Sequence, residues 1–143
     1  MTPREILAYH EAGHAACYRH LGDQICSVEL KDGRGLCDGF VGRPDTDTPL
    51  RDVLRCLSGP AAEYTLVGSI TCGRIDLDDA ARYARDAGMC VDDVWPDALA
   101  LIQRYQDDIE AVAEALLRHG RLDGSAIERL IGRGWISPRW ASI

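Results

Sequence analysis

Long apolar runs are missing from this sequence; none approaches the ~20 residues that a bilayer-spanning helix requires. The opening stretch MTPREILAYH lacks a basic segment followed by an apolar one, so a secretory leader is not expected. Lysine is nearly absent: Lys31 is the single lysine among 16 basic residues, which reads as codon usage rather than chemistry. Positive charge is also outweighed, since 23 acidic residues leave a net charge of −7. That balance argues against nucleic acid or an anionic membrane as the main partner. Paired cysteine motifs are lacking too. Cys17, Cys26, Cys37, Cys56, Cys72 and Cys90 are scattered with no C-x-x-C among them. Without a secreted context they are expected to be reduced, mostly buried thiols of a cytoplasmic protein. Internal repeats and low-complexity segments are absent as well.

What is present suits one ordinary globular domain. With 143 residues, 46% of them hydrophobic and 27% charged, the chain is long enough to bury a core without staples. We expect a single domain over residues 1–132 and a tail over 133–143 carrying Trp135 and Trp140.

Thr2-Pro3-Arg4-Glu5 forms a capping box with proline at the first helical position, opening a helix that runs to about Leu21 and stops at Gly22. At 100° per residue, Ile6, Leu7, His10, His14, Cys17, Tyr18 and Leu21 share one stripe about 120° wide, with Ala12 and Arg19 opposite and Glu11 at its edge. Ile25 to Leu30 alternates as a strand with Cys26, Val28 and Leu30 on one side. KDGRG is a turn, and Leu36 to Gly42 a second, glycine-weakened strand. After the polar stretch RPDTDT, a helix opens at Thr48-Pro49 with Val53, Leu54, Leu57, Ala61 and Tyr64 as its apolar positions. Gly59-Pro60 predicts a kink or break near Cys56 to Ser58. A short helix follows from Asp76 to Ala87. The longest helix is predicted from Pro96 to Gly120, and Asp123 caps a last one through Ile131. The fold class is mainly α with a small β-sheet or hairpin.

Residues 8 to 17, AYHEAGHAAC, carry the chemistry. Histidines four apart on a helix are neighbours on one face, so His10 and His14 can share one metal ion. Zinc accepts imidazole nitrogen and, at a catalytic site, takes three protein ligands and leaves a position open for water. Glu11 lies beside such a metal without binding it, which suits a general base. Both histidines fall on the apolar face, where an uncoordinated imidazole pair is awkward to satisfy. Gly13 between them, unfavourable inside a helix, points to close approach of another element. A third ligand is needed, and the residues leave two candidates, Glu63 in GPAAEYTLVG and Asp76 in GRIDLDDAARYAR.

Four segments in order resemble the peptidase domain of the FtsH family of ATP-dependent zinc metalloproteases. AYHEAGHA is similar to its zinc helix, LSGPAAEYTLVG to its L-G-G-R-A-A-E-E segment, IDLDDAARYAR to N-D-L-x-x-A-T-x-x-A-R, and AEALLRHGRLDGSAIERLI to its C-terminal A-x-x-L-L-x-x-E-T-L-D-G stretch. The resemblance implies a mostly helical zincin-like fold, zinc as cofactor, and Asp76 as third ligand beside His10 and His14. Glu63 is then a near-site residue. It also implies an extended polypeptide substrate held along an edge strand, for which Leu36 to Gly42 is the candidate.

Departures from the family pattern narrow this. No G-x-x-x-x-G-K-[ST] loop occurs, so no ATP-driven motor is expected in this chain. Ile75 stands where the family has asparagine, and the stretch from Ala87 to Pro96 is shortened, which counts against a hexameric ring. The expected activity is an ATP-independent zinc endopeptidase acting on unfolded or flexible polypeptides, with Glu11 as the catalytic base. The alternative is a zinc-containing regulatory or binding module, non-catalytic or narrowly specific, derived from the same domain. Retention of Glu11 favours catalysis, because a structural zinc site has no need of it.

Overall fold

The computed structural model describes residues 1–42 and 48–131. Among them are six α-helices and a three-stranded antiparallel sheet, the mainly helical fold with a small sheet expected from the sequence. The tail with Trp135 and Trp140, and residues 43–47 of the polar stretch, lie outside the described residues.

Helix α1 (Pro3–His20) starts as its capping box dictates: Thr2 Oγ1 accepts from Glu5 N at 3.1 Å, and Thr2 N donates to Glu5 Oε2 at 2.9 Å. It ends at Leu21, before Gly22 in the left-handed region at φ 78°. The helix is enclosed on more sides than a single stripe allows. Ala12, expected opposite the apolar face, is fully buried, as are Ala8, Ala15 and Ala16. The run of small residues lets α2 (Pro49–Ala62), α5 (Gln106–His119) and the sheet all pack on α1.

Strands β1 (Gln24–Lys31) and β2 (Arg34–Phe40) form a hairpin about a two-residue turn. Asp32 and Gly33 have φ of 53° and 74°, the positive values that a type I′ turn requires of both central residues. The turn is thus tighter than KDGRG suggested, and β2 begins at Arg34 rather than Leu36 and ends at Phe40 rather than Gly42. A bulge between Ile25 and Ser27 turns Cys26 outward, so the expected alignment of Cys26 with Val28 fails there. A third strand, β3 (Arg121–Asp123), was not foreseen; it pairs with β1 and leaves β2 as an edge among the described residues.

Helix α2 runs through Gly59-Pro60 without a break, and passes into a π-helical turn at Glu63–Val67 closed by Gly68. Residues 57–63 are all buried, and that packing outweighs the loss of one backbone donor at Pro60. Helix α3 (Arg74–Asp86) follows, ending before Gly88. The single long helix expected from Pro96 is two: α4 (Val91–Arg104), with Pro96 inside it, and α5. They part at Tyr105, whose hydroxyl lies 2.6 Å from His20 Nδ1 in the interior. Asp123 caps α6 (Gly124–Ile131), its Oδ1 accepting from Ala126 N at 2.8 Å.

The described cysteines are all free, and only Cys17 is buried outright; Cys26 and Cys90 are exposed and the others partly covered, so burial of thiols is less general than expected. No helix among the described residues is long and apolar enough to cross a membrane.

Candidate metal centre

Close approach of α1 and α2 creates the site. A Cβ on Gly13 would stand 2.6 Å from both Ala62 Cβ and the Ser58 carbonyl oxygen, so only glycine permits this spacing. An interior glycine costs a helix about 1 kcal/mol relative to alanine, and here the contact between helices requires it. The approach places His10 and His14 against the second half of α2, while α3 brings Asp76 in from its first turn.

Three atoms converge. Asp76 Oδ2 lies 2.7 Å from His10 Nε2 and 3.0 Å from His14 Nε2, and the two Nε2 atoms are 3.1 Å apart. The other ring nitrogens are committed elsewhere. His14 Nδ1 donates to the Arg55 carbonyl at 3.0 Å, and His10 Nδ1 faces Glu63 Oε2 at 2.7 Å. With both Nδ1 atoms as donors, both Nε2 atoms turn lone pairs toward a carboxylate oxygen. Three acceptors facing one another repel unless a cation sits among them. A tetrahedral ion with bonds of ~2.0 Å has ligand atoms about 3.3 Å apart, close to the triangle found here.

The electrostatics describe the same need. Burial works against charge on His10, but hydrogen bonds to Asp76 and Glu63 outweigh it and carry the pKa up to about 9. A proton there does part of what a metal ion would do. Burial likewise works against charge on Asp76, yet the two imidazoles hold its carboxyl below the ordinary carboxylate range.

Glu63 is fully buried and faces away from this triangle. Its Oε2 meets His10, and its Oε1 accepts from Thr71 N and Cys72 N, each at 2.9 Å, and from Thr71 Oγ1 at 3.2 Å. One carboxylate thereby fixes the His10 ring and anchors the segment leading into α3. This is the carboxylate–histidine arrangement common behind metal ligands. Of the two acidic candidates, Asp76 meets both Nε2 atoms and Glu63 meets only the far side of one ring. Ile75, just before Asp76, is 75% exposed.

Glu11 is 5% exposed, and burial raises its pKa even though the two histidines pull it down. Its side chain lies against the backbone of β2, where a Cβ on Gly35 would stand 2.6 Å from Glu11 Cγ and Oε1. Arg55, whose carbonyl orients His14, is itself fixed by a two-bond ion pair with buried Asp23, at 2.8 and 3.2 Å. Sequence reasoning missed Gly35, Gly59, Thr71 and the Arg55 carbonyl. The only signal for any of them was a glycine–proline step inside an otherwise helical pattern.

A mainly helical domain with two histidines and an aspartate grouped as a possible metal site is what the geometry defines. Among curated proteins, the chain matches the ATP-dependent zinc metalloprotease FtsH 2 of Sphaerobacter thermophilus, with 30% identity over 175 aligned residues. The match takes in 90% of this chain but 27% of the relative, so the chain spans about a quarter of that protein's length. A distant relationship to FtsH follows. No family model matches.

Proposed function

We propose that this domain is a zinc-dependent endopeptidase that hydrolyses unfolded or flexible polypeptides without ATP. The observation that carries the reading is the convergence of three lone-pair donors, with the Nδ1 atoms of both histidines already engaged elsewhere. His10, His14 and Asp76 would hold the zinc, and Glu63 keeps the His10 ring in register. When bound, zinc supplies a Lewis acid that polarises a peptide carbonyl and makes water a better nucleophile.

The protein's own groups supply the proton transfers. Glu11 takes a proton from the attacking water as its oxygen bonds to the carbonyl carbon. The same carboxyl delivers that proton to the amide nitrogen as the C–N bond breaks. Burial that raises the Glu11 pKa brings it nearer to neutrality, which favours both halves of the cycle. The substrate chain lies extended along β2, whose free edge offers backbone partners. A hollow of about 600 Å³ bordered by Glu29, Arg34, Gly35 and Leu36 adjoins the strand. Exposed Leu36 and Phe40 stand on one face of it.

The test pairs metal content with turnover. Elemental analysis of wild type should give one zinc per chain, largely lost in Asp76→Ala. Glu11→Gln should keep its zinc and lose at least 100-fold in cleavage of a dye-labelled unstructured polypeptide. A folded wild type without zinc, or undiminished cleavage by Glu11→Gln, would overturn the reading.

A further inference from the structure

Gly59 opens the segment that carries Glu63 but bears no chemistry of its own, yet it lies beneath the point where the histidines meet. A Cβ built on it would overlap His14 Nε2 and come within 2.7 Å of His10 Nε2 and 2.8 Å of His10 Cε1. These are the two nitrogens that turn toward Asp76 Oδ2. The space denied to a side chain at Gly59 therefore lies directly against both Nε2 atoms.

The neighbouring glycines show that this is not a general effect of tight packing. Gly13 is closed off by Ser58 and Ala62, and Gly73 by Ile70 and Pro60; neither meets an imidazole. Gly35 meets Glu11 only. Of the glycines in the described residues, Gly59 alone has both Nε2 atoms as its nearest contacts. It also sits inside α2, followed by Pro60, where a helix would otherwise favour alanine.

We infer that Gly59 is a positioning residue for the metal: its missing side chain keeps the seat between His10, His14 and Asp76 open, and any Cβ there excludes zinc while leaving all three ligands in the sequence. The inference rests on the reading of His10, His14 and Asp76 as ligands. It adds that ligand identity alone is not sufficient for binding.

The experiment compares wild type, Gly59→Ala, Gly73→Ala and Gly59→Ala/His14→Ala. Zinc affinity is read by competition with a chromophoric chelator, and folding by circular dichroism and urea unfolding of the metal-free proteins. Gly59→Ala should keep native helicity and bind zinc at least 100-fold more weakly than wild type, whereas Gly73→Ala should bind within a few fold of it. Wild-type zinc affinity in Gly59→Ala would overturn the inference. Should Gly59→Ala fail to fold, the double variant, which removes one of the crowded imidazoles, should recover helicity. Failure of that rescue would assign Gly59 to helix packing and overturn the inference as well. Absence of zinc from wild type would instead remove the underlying reading, so the two failures are told apart.

Discussion

His10 can hold a proton or a metal ion at Nε2, but not both, and the two compete. The metal takes the neutral ring. The folded-state pKa is raised from 6.5 to about 9, so between those values the metal-free protein keeps a proton that must leave before zinc binds. Apparent zinc affinity should therefore climb by about tenfold per pH unit from pH 6.5 and level off near 9. The check is a chelator-competition titration across that range; an affinity independent of pH below 9 would contradict it. The linked stability has the matching sign. In the metal-free protein, the contribution from protonated His10 is fully present below pH 6.5 and is lost as pH rises through 9. At this scale the sequence was informative about which side chains meet, because the spacing of His10 and His14 is set by the helix itself. It left Asp76 and Glu63 as equals, since both are acids near helix termini and only tertiary packing decides which oxygen reaches an imidazole Nε2.

The elements legible in the sequence were those with local punctuation. Helix α1 announced itself through Thr2, Pro3, Glu5 and Gly22, and all four act as read. Replacing Thr2 with alanine removes the side-chain half of the capping box, the Oγ1 acceptor for Glu5 N, and should cost about 1 kcal/mol, measured by urea unfolding, with zinc stoichiometry unchanged. An unaltered midpoint would mean that the first turn is held by tertiary contacts instead. The elements that were misread lack such marks. The helical rhythm of Leu99, Ile102, Tyr105, Ile109 and Val112 continues across the boundary between α4 and α5, so periodicity cannot register the break at Tyr105. Three residues of β3 are too few to show alternation. Gly59-Pro60 is strong local evidence for a break, yet burial of the surrounding segment kept α2 continuous.

Helix α3 packs mainly on α2 and reaches α1 through the metal centre. In the metal-free protein this junction is Asp76 hydrogen-bonded to two imidazoles, with His10 holding a proton; a bound zinc would replace those hydrogen bonds with coordination. A ligand that binds only the folded state stabilises it by about 2.7 kcal/mol at a free concentration of 100 Kd. Chelation should accordingly lower Tm by several degrees, and restoring zinc should reverse the shift; a Tm indifferent to zinc would mean the trio binds none. The overall class was legible from pattern because helices dominate, whereas the site's architecture was not, since it draws on Gly59 and Arg55 of α2 and Gly35 of β2 as much as on α1. One consequence concerns the order in which the chain is made. The histidines lie on the first helix, but Asp76 comes 62 residues after His14 and is brought home only when α3 docks. A growing chain carrying the complete HExxH segment thus has no assembled His–His–Asp centre, and on the proposed function it would be unable to attack its own unfolded remainder. On the proposed function, competence to cut would arrive together with the compact state, and the fold would act as its own propeptide.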